Sequence, residues 1–174
     1  MNDDDEKRGD AVALPELSRD DSHPRAVAAL TDPFFWSLTD PTTPFGNETA
    51  HEVLEALRDF FDEHPQGSPL DLLADLLARW EVPDAHWDVV EREEVEAIGA
   101  EDEYGLLTRD EAILALAFGQ IVVLGRVHPE VRRRAMLALV RQSQPALLNA
   151  YGPRAIERAT RIERMTAVLA ARWG

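Results

Sequence analysis

One imidazole and a set of carboxylates are the residues of this chain whose spacing could do chemistry. Between positions 47 and 75 stand Asn47, Glu48, His51, Glu52, Glu55, Asp59, Asp71 and Asp75. His51 and Glu55 are four residues apart, one turn of a helix, so a divalent metal would meet an imidazole and a carboxylate on the same face. The zinc-peptidase pattern needs a second histidine at that place, and Glu55 occupies it. Glu52 and Glu55 on one helix, with Asp71 and Asp75 on the next, form a second constellation. Four such carboxylates could hold Mg²⁺ or Mn²⁺ for nucleotide hydrolysis. No Lys/Arg set for the phosphates lies beside them. The plain alternative for both groups is a solvated acidic helix face. Acyl transfer through a Ser/His/Asp triad has no support, because no G-x-S-x-G turn occurs. There is no glycine-rich phosphate loop, and with no cysteine neither disulfides nor thiolate chemistry arises. The sequence implies no cofactor.

Charge narrows the range of partners. Net charge is −15, but residues 1–110 hold 29 Asp/Glu against 8 Lys/Arg, while residues 111–174 hold 4 against 10. An excess of acid disfavours nucleic acid, whose phosphates need a basic surface. It suits solubility, or docking to a basic protein. The two halves could also neutralise each other within the fold. Arg132, Arg133, Arg134 and Arg141 make a basic run that reads as an outward face paired with local acids.

The elements that must position these groups are helical. The run 110–127 is D-E-A-I-L-A-L-A-F-G-Q-I-V-V-L-G-R-V, in which only Gln120 is polar between Ala112 and Gly125. A helix apolar all round is a membrane span or a core helix, and this run is shorter than the roughly 20 residues a bilayer needs. It therefore predicts a buried central helix over about 109–126, opened by a capping box at Thr108 and Glu111 and closed near Gly125. Gln120 should bond to a backbone carbonyl or a neighbouring side chain. Asn47 caps a helix over 48–63, and Ser68-Pro69 starts another over 69–80. A short acidic helix follows at about 85–98, then a polar loop, and two more helices after His128-Pro129 and Gly152-Pro153. Prolines 33, 41 and 44 keep 30–47 out of a long helix, yet Phe34, Phe35, Trp36 and Phe45 require that this loop pack. The four tryptophans read as packing anchors. No alternating strand pattern is present. The expectation is an all-α, single-domain bundle of about 5–6 helices over 25–174, preceded by an acidic, disordered tail over 1–24. With 45% apolar residues and no basic-then-apolar leader, a soluble cytoplasmic protein is the default.

The segment D-P-F-F-W-S-L-T-D-P-T-T-P-F-G-N-E-T-A-H-E-V-L resembles the start of the YfeS-like proteins of bacteria, which carry an aromatic–Trp stretch and then P-F-G-N-D-x-x-x-D-x-L. More distantly it is similar to small bacterial domains of unknown function that begin W-G-x-G-x-F-x-N-D-x-A-x-D. Here Phe35-Trp36-Ser37 stands where those have W-G-x-G. D-E-A-I-L-A-L-A-F-G-Q looks like the alanine-rich central helix of both groups. The resemblance covers about 32–173 and implies no activity. Some YfeS-like proteins are joined to a WGR domain, but no W-G-R occurs in this chain. Phe45, Asn47, Glu48 and Glu52 are the shared positions. The carboxylate pairs are also similar in kind to those of all-α nucleotide pyrophosphatases.

Taken together, the residues point to a non-enzymatic, immunity- or inhibitor-like module that binds a basic protein. Its expected contact residues are Trp36, Asp40, Phe45, Asn47, Glu48, His51 and Glu52. The alternative is a Mg/Mn-dependent nucleotide hydrolase built on Glu52, Glu55, Asp71 and Asp75. No membrane partner is expected, and the oligomeric state is open.

Overall fold

The computed structural model describes residues 15–174, and in it every residue from 112 to 122 is buried, as an all-round apolar helix requires. This run belongs to α4, Arg92–Leu124, whose backbone breaks at Asp102 (φ −148°, ψ 75°). The break separates an acidic, mostly exposed part, 92–101, from the apolar part, 103–124. Asp102 is the cap of the second part, its Oδ1 accepting the Gly105 N–H at 2.9 Å. The capping box expected at Thr108 and Glu111 is therefore not the start of the helix. Thr108 is already inside it and buried, and the polar loop expected after residue 98 is helical apart from Asp102. At the other end Gly125 takes the left-handed conformation (φ 64°) and its N–H donates to Ile121 O at 2.9 Å, the expected stop. The Val122 carbonyl, left open by the helix end, accepts the His23 N–H at 2.8 Å.

The other helices are laid against this axis. α1, Pro24–Ala29, and α2, Glu48–Glu63, contact α4 directly. At Gly119 a Cβ would lie 2.8 Å from Leu57 Cδ2 of α2, so the absent side chain makes room for that leucine. α3, Pro69–Arg79, buries Leu72, Leu73, Leu76 and Leu77. α5, Pro129–Gln142, packs on α4 and on α7, Ala155–Ala170, with the short α6, Pro145–Leu148, and a 3₁₀ turn between them. The acidic helix expected from about residue 85 begins only at Arg92. The preceding segment is held irregular by His86 at positive φ (66°) and by buried Trp87, whose indole bonds Asp84. The all-α bundle is as expected. Among the described residues the sole β pairing is one isolated antiparallel bridge, Glu16 with Ser37. No helix among them is long and apolar enough to cross a membrane.

That bridge revises the expected tail. The Leu17 N–H donates to Trp36 O at 2.8 Å, and the Leu38 N–H to Pro15 O at 3.1 Å. Leu17 is in the core and anchors a stretch, 15–24, whose other residues are exposed or half-buried. The rest of the expected tail, residues 1–14, lies outside the described residues. The aromatic loop packs as its composition demands, with Phe35, Trp36 and Phe45 buried and Phe35 5.5 Å from Phe118.

Candidate functional site

α2 begins where Asn47 Oδ1 accepts the Ala50 N–H at 2.8 Å. Its two faces differ sharply. Ala50, Val53, Leu54 and Leu57 go inward, whereas Glu48, His51, Glu52, Glu55, Arg58, Asp59, Asp62 and Glu63 stay exposed. His51 Nε2 donates to Leu38 O at 2.7 Å and so ties the aromatic loop to this helix. Between loop and helix lies a cleft of about 350 Å³ lined by Leu17, Leu38 and Leu54, with His51, Glu55, Arg58 and Asp59 at its rim. Asp71 and Asp75 of α3 are also exposed. Among the described residues, no carboxylate of α2 or α3 forms an ion pair with an arginine or lysine; Glu63 stands 4.0 Å from His64.

Of the arginines expected on an outward face, Arg133 and Arg134 are paired with local acids as expected, whereas Arg141 lies inside the fold. Arg141 is 2% exposed and bonds Asp110, itself 1% exposed, at 2.8 Å, while its Nη1 donates to Trp87 O and Val89 O at 2.9 Å each. Burial pushes the Asp110 carboxyl up, and Arg141 and Gln142 pull against that. Arg132 donates to the Leu169 and Ala170 carbonyls at the end of α7. Arg133 and Arg134 share Glu130, and their bonds hold its carboxyl down at about 2. Arg133 also reaches Asp88. Arg154 and Arg161 converge on Asp40 and Glu157. At Asp40 burial opposes ionisation, but Arg154, Arg161 and Thr42 outweigh it and hold the carboxyl well below the usual range.

A second polar site lies beneath the loop. Arg158 is 4% exposed, donates to Thr42 O at 2.9 Å and lies 5.2 Å from the Tyr151 ring. With Asn47, Glu111, Gln142 and Tyr151 it lines a space of about 20 Å³, enough for one water-sized molecule. Burial pushes the Glu111 and Tyr151 pKa values up and that of Arg158 down.

The expected contact residues divide accordingly. Trp36 and Phe45 are each 0% exposed and form the core, so neither can touch a partner; Trp36 Nε1 donates to Leu30 O at 2.8 Å. Asn47 is the helix cap, and Asp40 is committed to arginines. Glu48, His51 and Glu52 reach the surface, with Glu52 Oε2 accepting the Trp80 indole N–H at 2.8 Å. The hydrolase cluster is not assembled. Among the described residues no three His, Asp or Glu side chains are placed to share a metal ion. Glu52 is turned to Trp80, Glu55 to the cleft, and Asp71 to a separate depression beside Phe60 and His64. The helices pair through leucines, which leaves their carboxylates on diverging outer surfaces.

Sequence reasoning missed Leu17 and Leu38 as cleft walls and the Asp110–Arg141 pair. Arg141 did carry a signal, because it extends the 131, 135, 138 spacing of inward residues on α5.

The chain is similar to the Uncharacterized protein YfeS of Escherichia coli (strain K12), with 27% identity over 132 residues, or 75% of this chain. It spans about half of that relative's length, 54%. The resemblance to YfeS-like proteins is upheld over the length of that match. No family model and no solved structure matches the chain.

Proposed function

We propose that this YfeS-like protein binds a basic surface of another protein, with the outer face of α2 as the contact, in the manner of an immunity protein or inhibitor. One observation carries this reading. Arg132, Arg133, Arg134, Arg141, Arg154, Arg158 and Arg161 of the C-terminal half are bonded to acids or carbonyls of the fold, whereas the carboxylates of α2 and α3 have no arginine or lysine partner among the described residues. Acid left over in this way steers a basic partner and repels others. The same distribution argues against a phosphate backbone as ligand, since Arg133, Arg134 and Arg154 are already paired with acids.

The test reverses charge where the fold does not depend on it. Asp59→Lys and Asp62→Lys lie on exposed positions of α2 beyond its first turn and should leave the circular dichroism unchanged and the unfolding midpoint no lower than that of the wild type. Proteins retained from the parent cell by the wild type would be purified and titrated calorimetrically. A genuine partner should be basic, bind more weakly as salt rises, and lose about tenfold or more in affinity to the double variant. If no retained protein, once purified, shows that loss, the reading is overturned.

A further inference from the structure

The cleft beside α2 adds chemistry to that acidic face. Its walls are Leu17, Leu38 and Leu54, and the groups at its mouth are His51, Glu55, Arg58 and Asp59. Leu38 is held at both backbone ends, its N–H on Pro15 O and its carbonyl on His51 Nε2. A wall fixed in this way is preformed, so a ligand does not have to order it on entry. The volume, about 350 Å³, is that of a small pocket. We infer that it receives one apolar side chain of the basic partner, so that the recognised element is a short Lys/Arg-rich segment with a single aromatic or aliphatic anchor.

Charge decides among the occupants. The exposed face of α2 carries Glu48, Glu52, Glu55, Asp59, Asp62 and Glu63 against Arg58 alone. A lipid surface presents anionic headgroups and is repelled. A second copy of this chain brings a net charge of −15 to the same face. Residues 1–10 hold five Asp/Glu against one Lys and one Arg and are of the wrong sign, and residues 11–14, Ala-Val-Ala-Leu, bring no positive charge to meet the acidic face. A basic segment is attracted, and the leucine walls select what it inserts. Anchors of this kind dominate interface energetics when set in a desolvated pocket and ringed by polar contacts.

This inference rests on the reading of α2 as the contact face, and the experiment separates the two. Fluorescent peptides Lys-Arg-Xaa-Arg-Lys, with Xaa as Trp, Leu or Ala, and Glu-Glu-Trp-Glu-Glu are titrated against the full chain by anisotropy. The Trp and Leu peptides should bind about tenfold or more tighter than the Ala peptide, as burial of one apolar side chain implies. Leu38→Asp should remove that advantage. Leu38→Trp, which fills the cleft while keeping an apolar side chain, should do the same in a protein whose unfolding midpoint is retained. If the Ala peptide binds as tightly as the Trp peptide, the anchor is refuted and the acidic face stands. If the basic peptides bind no better than the acidic one at low salt, the contact face itself fails.

Discussion

Arg141 can sit inside the bundle only because three acceptors meet it there. Asp110 takes its Nε and Nη2, and the Trp87 and Val89 carbonyls take Nη1. A buried charge without such partners is far more costly than the pair is stabilising. Arg141→Met should therefore destabilise the protein by about 3–5 kcal/mol, since it leaves the buried Asp110 carboxylate without its counter-charge, held by Gln142 alone, and two carbonyls without a donor. Adding Asp110→Leu removes the stranded acid. The double variant should then be more stable than Arg141→Met alone, yet below wild type, because the two carbonyls and the Gln142 amide stay unpaired. Urea unfolding of the four proteins measures this. A double variant as unstable as the sum of the singles would show that the two residues are not energetically coupled. The pair also shows why site residues were harder to read than core residues. In the sequence Asp110 stands at the expected start of the central helix and Arg141 in a basic run that reads as outward, and neither position by itself points to the other.

Helix ends were readable where a local rule governs them. Asn47, Ser68 and Gly125 stand where expected, because cap chemistry and left-handed glycine depend on a few adjacent atoms. The start of the central helix was misplaced because a polar run containing Gly99 and Gly105 resembles a loop, while a single residue, Asp102, makes the break. Long-range wiring left little local trace: the spacing of α5 turns Arg141 inward, but nothing near it names the partner. Arg161 bonds Asp40 across 121 positions, and Arg141 bonds Asp110 across 31. The end at Gly125 offers a test of how an element is fixed. A Cβ there would meet His23 Nδ1 at 2.2 Å, in a conformation that already disfavours side chains. Gly125→Ala should cost about 1–3 kcal/mol, from backbone strain together with displacement of His23 from the Val122 carbonyl it caps. In a His23→Ala background the same substitution should cost less, leaving backbone strain alone. Equal costs in both backgrounds, by thermal unfolding, would show that the contact with His23 is unimportant.

At the scale of the whole molecule, the unequal use of acid and base predicts how stability varies with pH. Two effects favour mild acid. The sequence pI is about 4.6, so lowering pH from neutral relieves repulsion among the unpaired carboxylates. Asp110 and Glu111 are pushed up by burial, so the folded state binds their protons more readily than the unfolded chain, and stability rises as pH falls through their folded pKa values. A third effect opposes these at lower pH. Glu130, at about 2 in the folded state, and Asp40 and Glu157, also depressed, stabilise the fold above the unfolded carboxyl pKa of about 4. That contribution is lost as pH falls from there towards their folded values. The urea midpoint should therefore rise from pH 8 to about pH 5, then decline below about pH 4. Asp40→Asn should lower the midpoint at neutral pH and flatten the acid decline, because a group that no longer titrates cannot lose its contribution. A midpoint that falls steadily from pH 8 downward would mean that the surface acids are paired in solution, and that α2 does not carry a surplus of negative charge.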